Sequence, residues 1–249
     1  ESRGLGDVYK RQELGGPGID ETERILAPFR AGGASLVAPV GDIRARLAGV
    51  RAFLFDWDGV FNTGSKSESS PSGFSESDSM GTNLLRFAWW LRDQGRLPFT
   101  GILTGQDNPT AVRLAERERF QVVYRGFLNK RAALDDLQTR FDLRPEQVCF
   151  LFDDVLDLGV AELCGLRILV RNGGAPLLAQ HAEHEGLCEY VTGREGGSHA
   201  VREAAEFLLG LTGDYRHVVT ERASHSDLYR QYLDQRNHGT PVVLSPGDV

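Results

Sequence analysis

A chain of 249 residues with 41% apolar and 25% charged side chains can bury one large core or two small ones, which excludes a wholly disordered or collagen-like polymer. Its formal charge of −7, from 28 basic against 35 acidic residues, repels phosphate backbones and anionic lipid over most of the surface. Nucleic acid and membrane are therefore not expected as partners. No apolar run approaches the roughly 18 residues that would span a bilayer. Cys149, Cys164 and Cys188 are odd in number and lack CxxC spacing, which predicts buried reduced thiols and a soluble, cytoplasmic protein.

The opening text, Glu1 to Gln12, reads as non-native sequence and is set aside from fold reasoning. The remainder divides into a helical extension over 13–49, a core over 50–211 and a helical tail over 212–249. After the breaker Gly15–Gly18, apolar spacing predicts helices over Ile19–Arg30 and Val40–Ala48, parted by "AGGAS". "RAFLFDWDG" follows, a nearly unbroken apolar run ending in acid and glycine, as in a strand buried on both faces of a parallel sheet. From Gly64 to Ser79, eight of sixteen residues are serine, which predicts a polar loop or flap.

Beyond it, helix and strand patterns alternate. Helices are predicted over Gly81–Asp93, Asn108–Arg119, Asn129–Phe141, Leu156–Cys164, Pro176–Glu185 and Ser198–Leu211. Strands are predicted over Phe99–Thr104, Phe120–Tyr124, Gln147–Phe152, Leu166–Val170 and Cys188–Val191. Such repeats predict an α/β fold with a doubly wound, mostly parallel sheet. The tail reads as one polar helix, Tyr215–Arg236, and then an unstructured end. Trp89 and Trp90 belong to a helix face that is core or subunit contact, and His181 and His184 to a surface helix without a zinc-binding spacing.

Ligands of open parallel sheets bind beyond the carboxyl ends of the strands. The predicted strand ends deliver Asp56, Asp58 and Gly59, then Thr104 and Gly105, then Asp153 and Asp154, with Asp157 one turn later. Asn129 and Lys130 open the helix after the third strand. Carboxylates gathered on one rim repel each other unless a divalent cation neutralises them, and oxygen ligands alone favour Mg²⁺. Beside a lysine and a hydroxyl, such a cation suits the gripping of a phosphoryl group. Asp56 would be the nucleophile, forming an aspartyl-phosphate, and Asp58 the acid and base. Lys130 and Thr104 would take the charge on the transferring oxygens. The substrate would be a small phosphorylated metabolite, touched also by Gly59, Gly105 and Asn129.

"FLFDWDGV", "ILTG", the lysine of "LNKRAAL" and "FLFDDVLD" stand in the order and spacing of the haloacid dehalogenase (HAD) superfamily. The wider text, including "YVTGREGGSHAVREAAEFLL", resembles its capless branch, typified by 3-deoxy-D-manno-octulosonate 8-phosphate phosphatase, from about Val50 to Leu211. The resemblance implies a HAD-type Rossmann-like hydrolase with Mg²⁺ held by Asp56, the Asp58 backbone carbonyl and Asp153. Asp154 and Asp157 would orient that metal shell. It implies a phosphorylated sugar or sugar acid as substrate and a homo-oligomer, commonly a tetramer in that branch. Spacing supports the missing cap independently: only 47 residues separate Asp56 from Thr104, and 25 separate Thr104 from Lys130.

The departures from the pattern are specific. Phe152 stands where the family usually has glycine, and "DGVFNTG" and "GGSHAVRE" replace "DGVLTDG" and "GGRGAVRE". They motivate an alternative reading, a catalytically weakened HAD-fold binding or assembly module that associates through Thr212–Val249.

Overall fold

The structure, a computed structural model, describes residues 19–66 and 72–249. The expectations for Glu1–Gln12 and the Gly15–Gly18 breaker, and the stretch 67–71 of the serine-rich segment, lie outside the described residues. In chain order the elements are α1 (Ile19–Ala31), β1 (Ser35–Leu36), α2 (Val40–Gly49), β2 (Ala52–Phe55), α3 (Glu76–Arg92), β3 (Phe99–Thr104), α4 (Pro109–Glu118) and β4 (Val122–Arg125). There follow α5 (Arg131–Phe141), β5 (Val148–Phe152), α6 (Leu158–Ala161), β6 (Leu166–Arg171), α7 (Pro176–His184) and β7 (Tyr190–Glu195). The chain continues through α8 (Ala200–Thr212), α9 (Tyr215–Ala223), α10 (Asp227–Asn237) and β8 (Val242–Leu244).

The apolar runs become one eight-stranded sheet in the order β1-β7-β6-β5-β2-β3-β4-β8. Every neighbouring pair is parallel except β1 with β7. Alternation along each strand feeds two cores. Phe53, Phe55 and Ile102 meet α1–α4 and α8–α10 on one face, while Leu54, Leu103 and Phe150 meet α5–α7 on the other. Because β2 is flanked by β3 on one side and β5 on the other, the winding reverses there. A crevice opens at the carboxyl ends of these three strands. Among the described residues, the connections from β2 to β3 and from β3 to α5 hold only α3, α4 and β4, so no cap domain is built there.

Four expectations are corrected. The second part of the serine-rich segment is helical, because α3 starts at Glu76 and not at Gly81. Ser75 caps it, its Oγ accepting from Asp78 N at 3.0 Å, and Glu76 and Asp78 favour the helix's positive end. The helix expected over Leu156–Cys164 shortens to a 3₁₀ turn, Val155–Asp157, followed by α6. The tail helix divides in two at His225 (φ +48°), where Ser226 Oγ accepts from Tyr229 N and begins α10.

The end of the chain is also ordered: Val242 N donates to Gln121 O at 2.9 Å and β8 extends the sheet beside β4. The tail packs on its own chain through Tyr232, fully buried with its ring 5.2 Å from Phe87 and 6.1 Å from Trp90. Trp89 and Trp90 are therefore core residues. The three cysteines are free and buried, and His181 and His184 are exposed on α7. Among the described residues, no helix is long and apolar enough to cross a membrane.

Candidate active site

Three adjacent strand ends and one helix start converge on the crevice. Asp56 leaves β2 directly, tied by its backbone N–H to Leu151 O of β5 at 2.9 Å. Asp153 leaves β5, Thr104 ends β3, and Lys130 begins α5. Lys130 Nζ donates to Asp56 Oδ1 and to Asp157 Oδ1, each at 2.5 Å. Asp56, Asp153 and Asp157 present carboxylate oxygens that all lie within 4.8 Å of one another. Asp58, Gly59, Gly105 and Asp154 join them in lining a cavity of about 360 Å³.

Burial sets the electrostatics. Asp153 is only 6% exposed. Loss of hydration, then the charges of Asp157 and Asp154, push its carboxyl from 3.8 up to about 7. Burial and the Asp157 charge hold Asp56 well above the carboxylate range despite the partial relief from Lys130. Asp157 is raised chiefly by burial. Burial alone would lower Lys130, but the charges of Asp56 and Asp157 outweigh it and hold the ammonium above its usual value. Five aspartates therefore face two ammonium groups, Lys130 and Lys66, in this cavity. The buried oxygen trio, with one lysine to offset it, fits a small hard cation such as Mg²⁺.

The arrangement of the expected residues differs in detail from the sequence reading. Asp157, expected behind the metal ligands, stands in the carboxylate trio; the Asp58 side chain, for which only a backbone-carbonyl contact with the metal was expected, lies outside it. Asp154 is exposed, and its Oδ1 accepts from Val155 N at 2.6 Å to cap the 3₁₀ turn. Asn129 is not brought to the cavity that the five aspartates line. Its side chain is exposed, accepts from Arg131 N at 3.3 Å, and lines a neighbouring cavity instead. Phe152 does not crowd the site, because its ring is fully buried in the α5–α7 core and stacks on Phe150 at 5.6 Å.

Three participants were not legible as site residues. Asn108 precedes Pro109 and looks like a helix cap, yet its side chain does not cap α4. Its Nδ2 donates instead to Asp58 Oδ2 at 2.9 Å and to Thr104 Oγ1 at 2.8 Å, which couples two of the expected catalytic groups. Lys66 Nζ lies 2.8 Å from Asp58 Oδ2. Asp58 Oδ1 is buried and has no partner among the described residues. The "GG" of "REGGSH" is a buttress. A side chain at Gly196 would strike the Gly59 carbonyl, and one at Gly59 (φ +83°) would strike the Asp153 carboxylate. Only the spatial approach of distant backbones reveals that role.

No family model matches the chain. The 3-deoxy-D-manno-octulosonate 8-phosphate phosphatase of Escherichia coli is 29% identical over 189 residues, which cover 73% of this chain and 93% of that protein. The enzyme of the same name from Yersinia pestis superposes with a TM-score of 0.55 at 27% identity, covering 70% of this chain and 87% of that one. The Moraxella catarrhalis enzyme, solved with magnesium, phosphate and KDO, shares the fold with a TM-score of 0.60 at 22% identity. It covers 73% and 98% of the two chains. In sequence and fold together the chain is similar to the haloacid dehalogenase superfamily hydrolases of the capless 3-deoxy-D-manno-octulosonate 8-phosphate phosphatase branch.

Proposed function

We propose that this chain hydrolyses a small phosphomonoester, a phosphorylated sugar or sugar acid, by passing the phosphoryl group through Asp56. The observation that carries this reading is the meeting of Asp56, Thr104, Lys130, Asp153 and Asp157, drawn from separate strand and helix ends, around one cavity. An Asp56 oxygen attacks phosphorus as the bond to the leaving alcohol breaks, and Asp58 gives that oxygen its proton. Asp58 Oδ1, which has no hydrogen-bond partner among the described residues, is the atom left to do so. Asp58, now ionised, then draws a proton from water as the water attacks phosphorus and releases phosphate from Asp56.

Thr104 Oγ1 and Lys130 Nζ donate to the phosphoryl oxygens and spread their charge. Asn108 holds Asp58 and Thr104 at a fixed separation. Asp56, Asp153 and Asp157, with the Asp58 backbone carbonyl expected from the resemblance, would hold Mg²⁺. When bound there it supplies positive charge against the phosphoryl oxygens. Its presence with phosphate in the Moraxella catarrhalis enzyme of the same fold supports that assignment. The resemblance also implies a homo-oligomer, which light scattering in solution measures.

Substituting Asp56→Asn tests the reading. Turnover of para-nitrophenyl phosphate in Mg²⁺ is expected to vanish while the far-ultraviolet circular dichroism is unchanged. Undiminished turnover rejects Asp56 as the nucleophile.

A further inference from the structure

Two features beside the catalytic cavity have no part in phosphoryl transfer. The first is an apolar rim. Leu128, Val155 and Leu156 are 73%, 60% and 64% exposed, and Leu128 and Leu156 line the cavity that holds the five aspartates. Large side chains exposed singly are ordinary, but Leu128 and Leu156 line one polar site together, and their hydration costs free energy until something covers them. The second feature is a neighbouring cavity of about 570 Å³. Its lining is mostly apolar and includes Phe127, Leu128, Ala132 and Pro246. Leu128 is common to the two cavities, so an occupant crossing it continues from one into the other.

A third observation concerns charge. Among the described residues that line the catalytic cavity, the cations are Lys66 and Lys130. Lys66 is matched to Asp58 at 2.8 Å, and Lys130 to Asp56 and Asp157 at 2.5 Å. No uncommitted cation is left in that lining for a second anionic group on the substrate. A carboxylate brought there would meet five aspartates and no free ammonium, with only neutral groups such as Thr63, Gln106 and Asn172 in that lining to replace its hydration.

We propose that the preferred substrate is a phosphomonoester whose alcohol carries an uncharged apolar arm, which runs over Leu128 into the cavity formed by Phe127, Ala132 and Pro246. This inference rests on the phosphatase reading above and narrows it away from sugar acids. The phosphoryl group fixes one end of the substrate at Asp56 and Lys130. The arm gains by displacing water from Leu128, Leu156 and the second cavity.

The n-alkyl phosphates test this, because their leaving groups have nearly equal acidity and differ in apolar length. With wild-type protein and Mg²⁺, kcat/KM is expected to rise at least about tenfold from ethyl to hexyl phosphate, since each buried methylene is worth up to about a factor of four. Leu128→Ser and Ala132→Asp should each pull that ratio toward one. Glucose 6-phosphate should be cleaved faster than 6-phosphogluconate. Calorimetric binding of ethyl- and hexylphosphonate, which cannot be hydrolysed, should show the same length preference. A flat chain-length profile in both assays overturns the inference, as does a profile that survives both substitutions. Equal or faster cleavage of 6-phosphogluconate overturns the exclusion of acids. Hydrolysis without any length dependence leaves the phosphatase reading standing. Length-dependent phosphonate binding without hydrolysis of any ester sinks that reading and supports the apolar subsite.

Discussion

Replacing Asp153 with asparagine should stabilise the protein without its metal, and by more as the pH rises. Asp153 is 6% exposed and its carboxyl is pushed from 3.8 up to about 7 by burial and by Asp157 and Asp154. A carboxyl raised by folding keeps its proton longer in the folded chain than in the unfolded one. Folded stability therefore falls as the pH climbs between those two values and falls no further above the upper one. Between pH 5 and pH 8 that loss is ~3 kcal/mol for this one group, or ~5–10 °C in Tm for a chain of this size. Asparagine cannot ionise and removes the slope. The assay is thermal unfolding of wild type and Asp153→Asn across that pH range, with chelator and with Mg²⁺. In chelator, the variant's Tm should gain on wild type by about that amount from pH 5 to pH 8. Mg²⁺ should raise wild type at pH 8 and raise the variant much less, because a bound cation rewards ionised ligands. A difference independent of pH, or equal Mg²⁺ responses, would refute the reasoning.

Lys130→Met should act in the opposite sense. It leaves Asp56 and Asp157 without the ammonium at 2.5 Å, so chemical denaturation at pH 8 should show a loss of ~3–5 kcal/mol that shrinks toward pH 5 as the carboxyls take up protons. Gly59→Ala should cut Mg²⁺-dependent phosphatase turnover at least about a hundredfold through strain and the clash with Asp153. Gly41→Ala, with nothing within 4 Å, should leave turnover unchanged in the same assay. Tyr232→Ala, which empties a fully buried site against Phe87 and Trp90, should cost ~3–5 kcal/mol in urea unfolding. The KM of the folded enzyme should not move.

The parallel sheet was legible because a strand covered on both faces must be apolar or small at nearly every position; "AFLF" and "VCFLF" are wholly apolar, and "FTGILT" adds only Thr and Gly. The carboxylates at their ends were legible for the same reason: an acid directly after such a run has only the rim to occupy. Local pattern failed where a few backbone contacts outweigh composition. Ser35–Leu36 and Val242–Leu244 are strands because partners on β7 and β4 offer free edges, and no two- or three-residue text declares that. The serines before Gly81 hid a helix start because one serine serves as its cap and the rest carry no periodicity.

Residue type and order by themselves determined that acids, a threonine and a lysine share one rim, since strand ends in a parallel sheet have nowhere else to project. Only the tertiary structure decided the partners within that rim. It put Asp157 in the carboxylate trio, Asn108 between Asp58 and Thr104, Asn129 outside the site, and Phe152 in the core. The physical reason is reach. Backbone periodicity fixes which way a chain segment faces, but contacts of about 3 Å between residues fifty or more positions apart depend on how whole helices settle against the sheet.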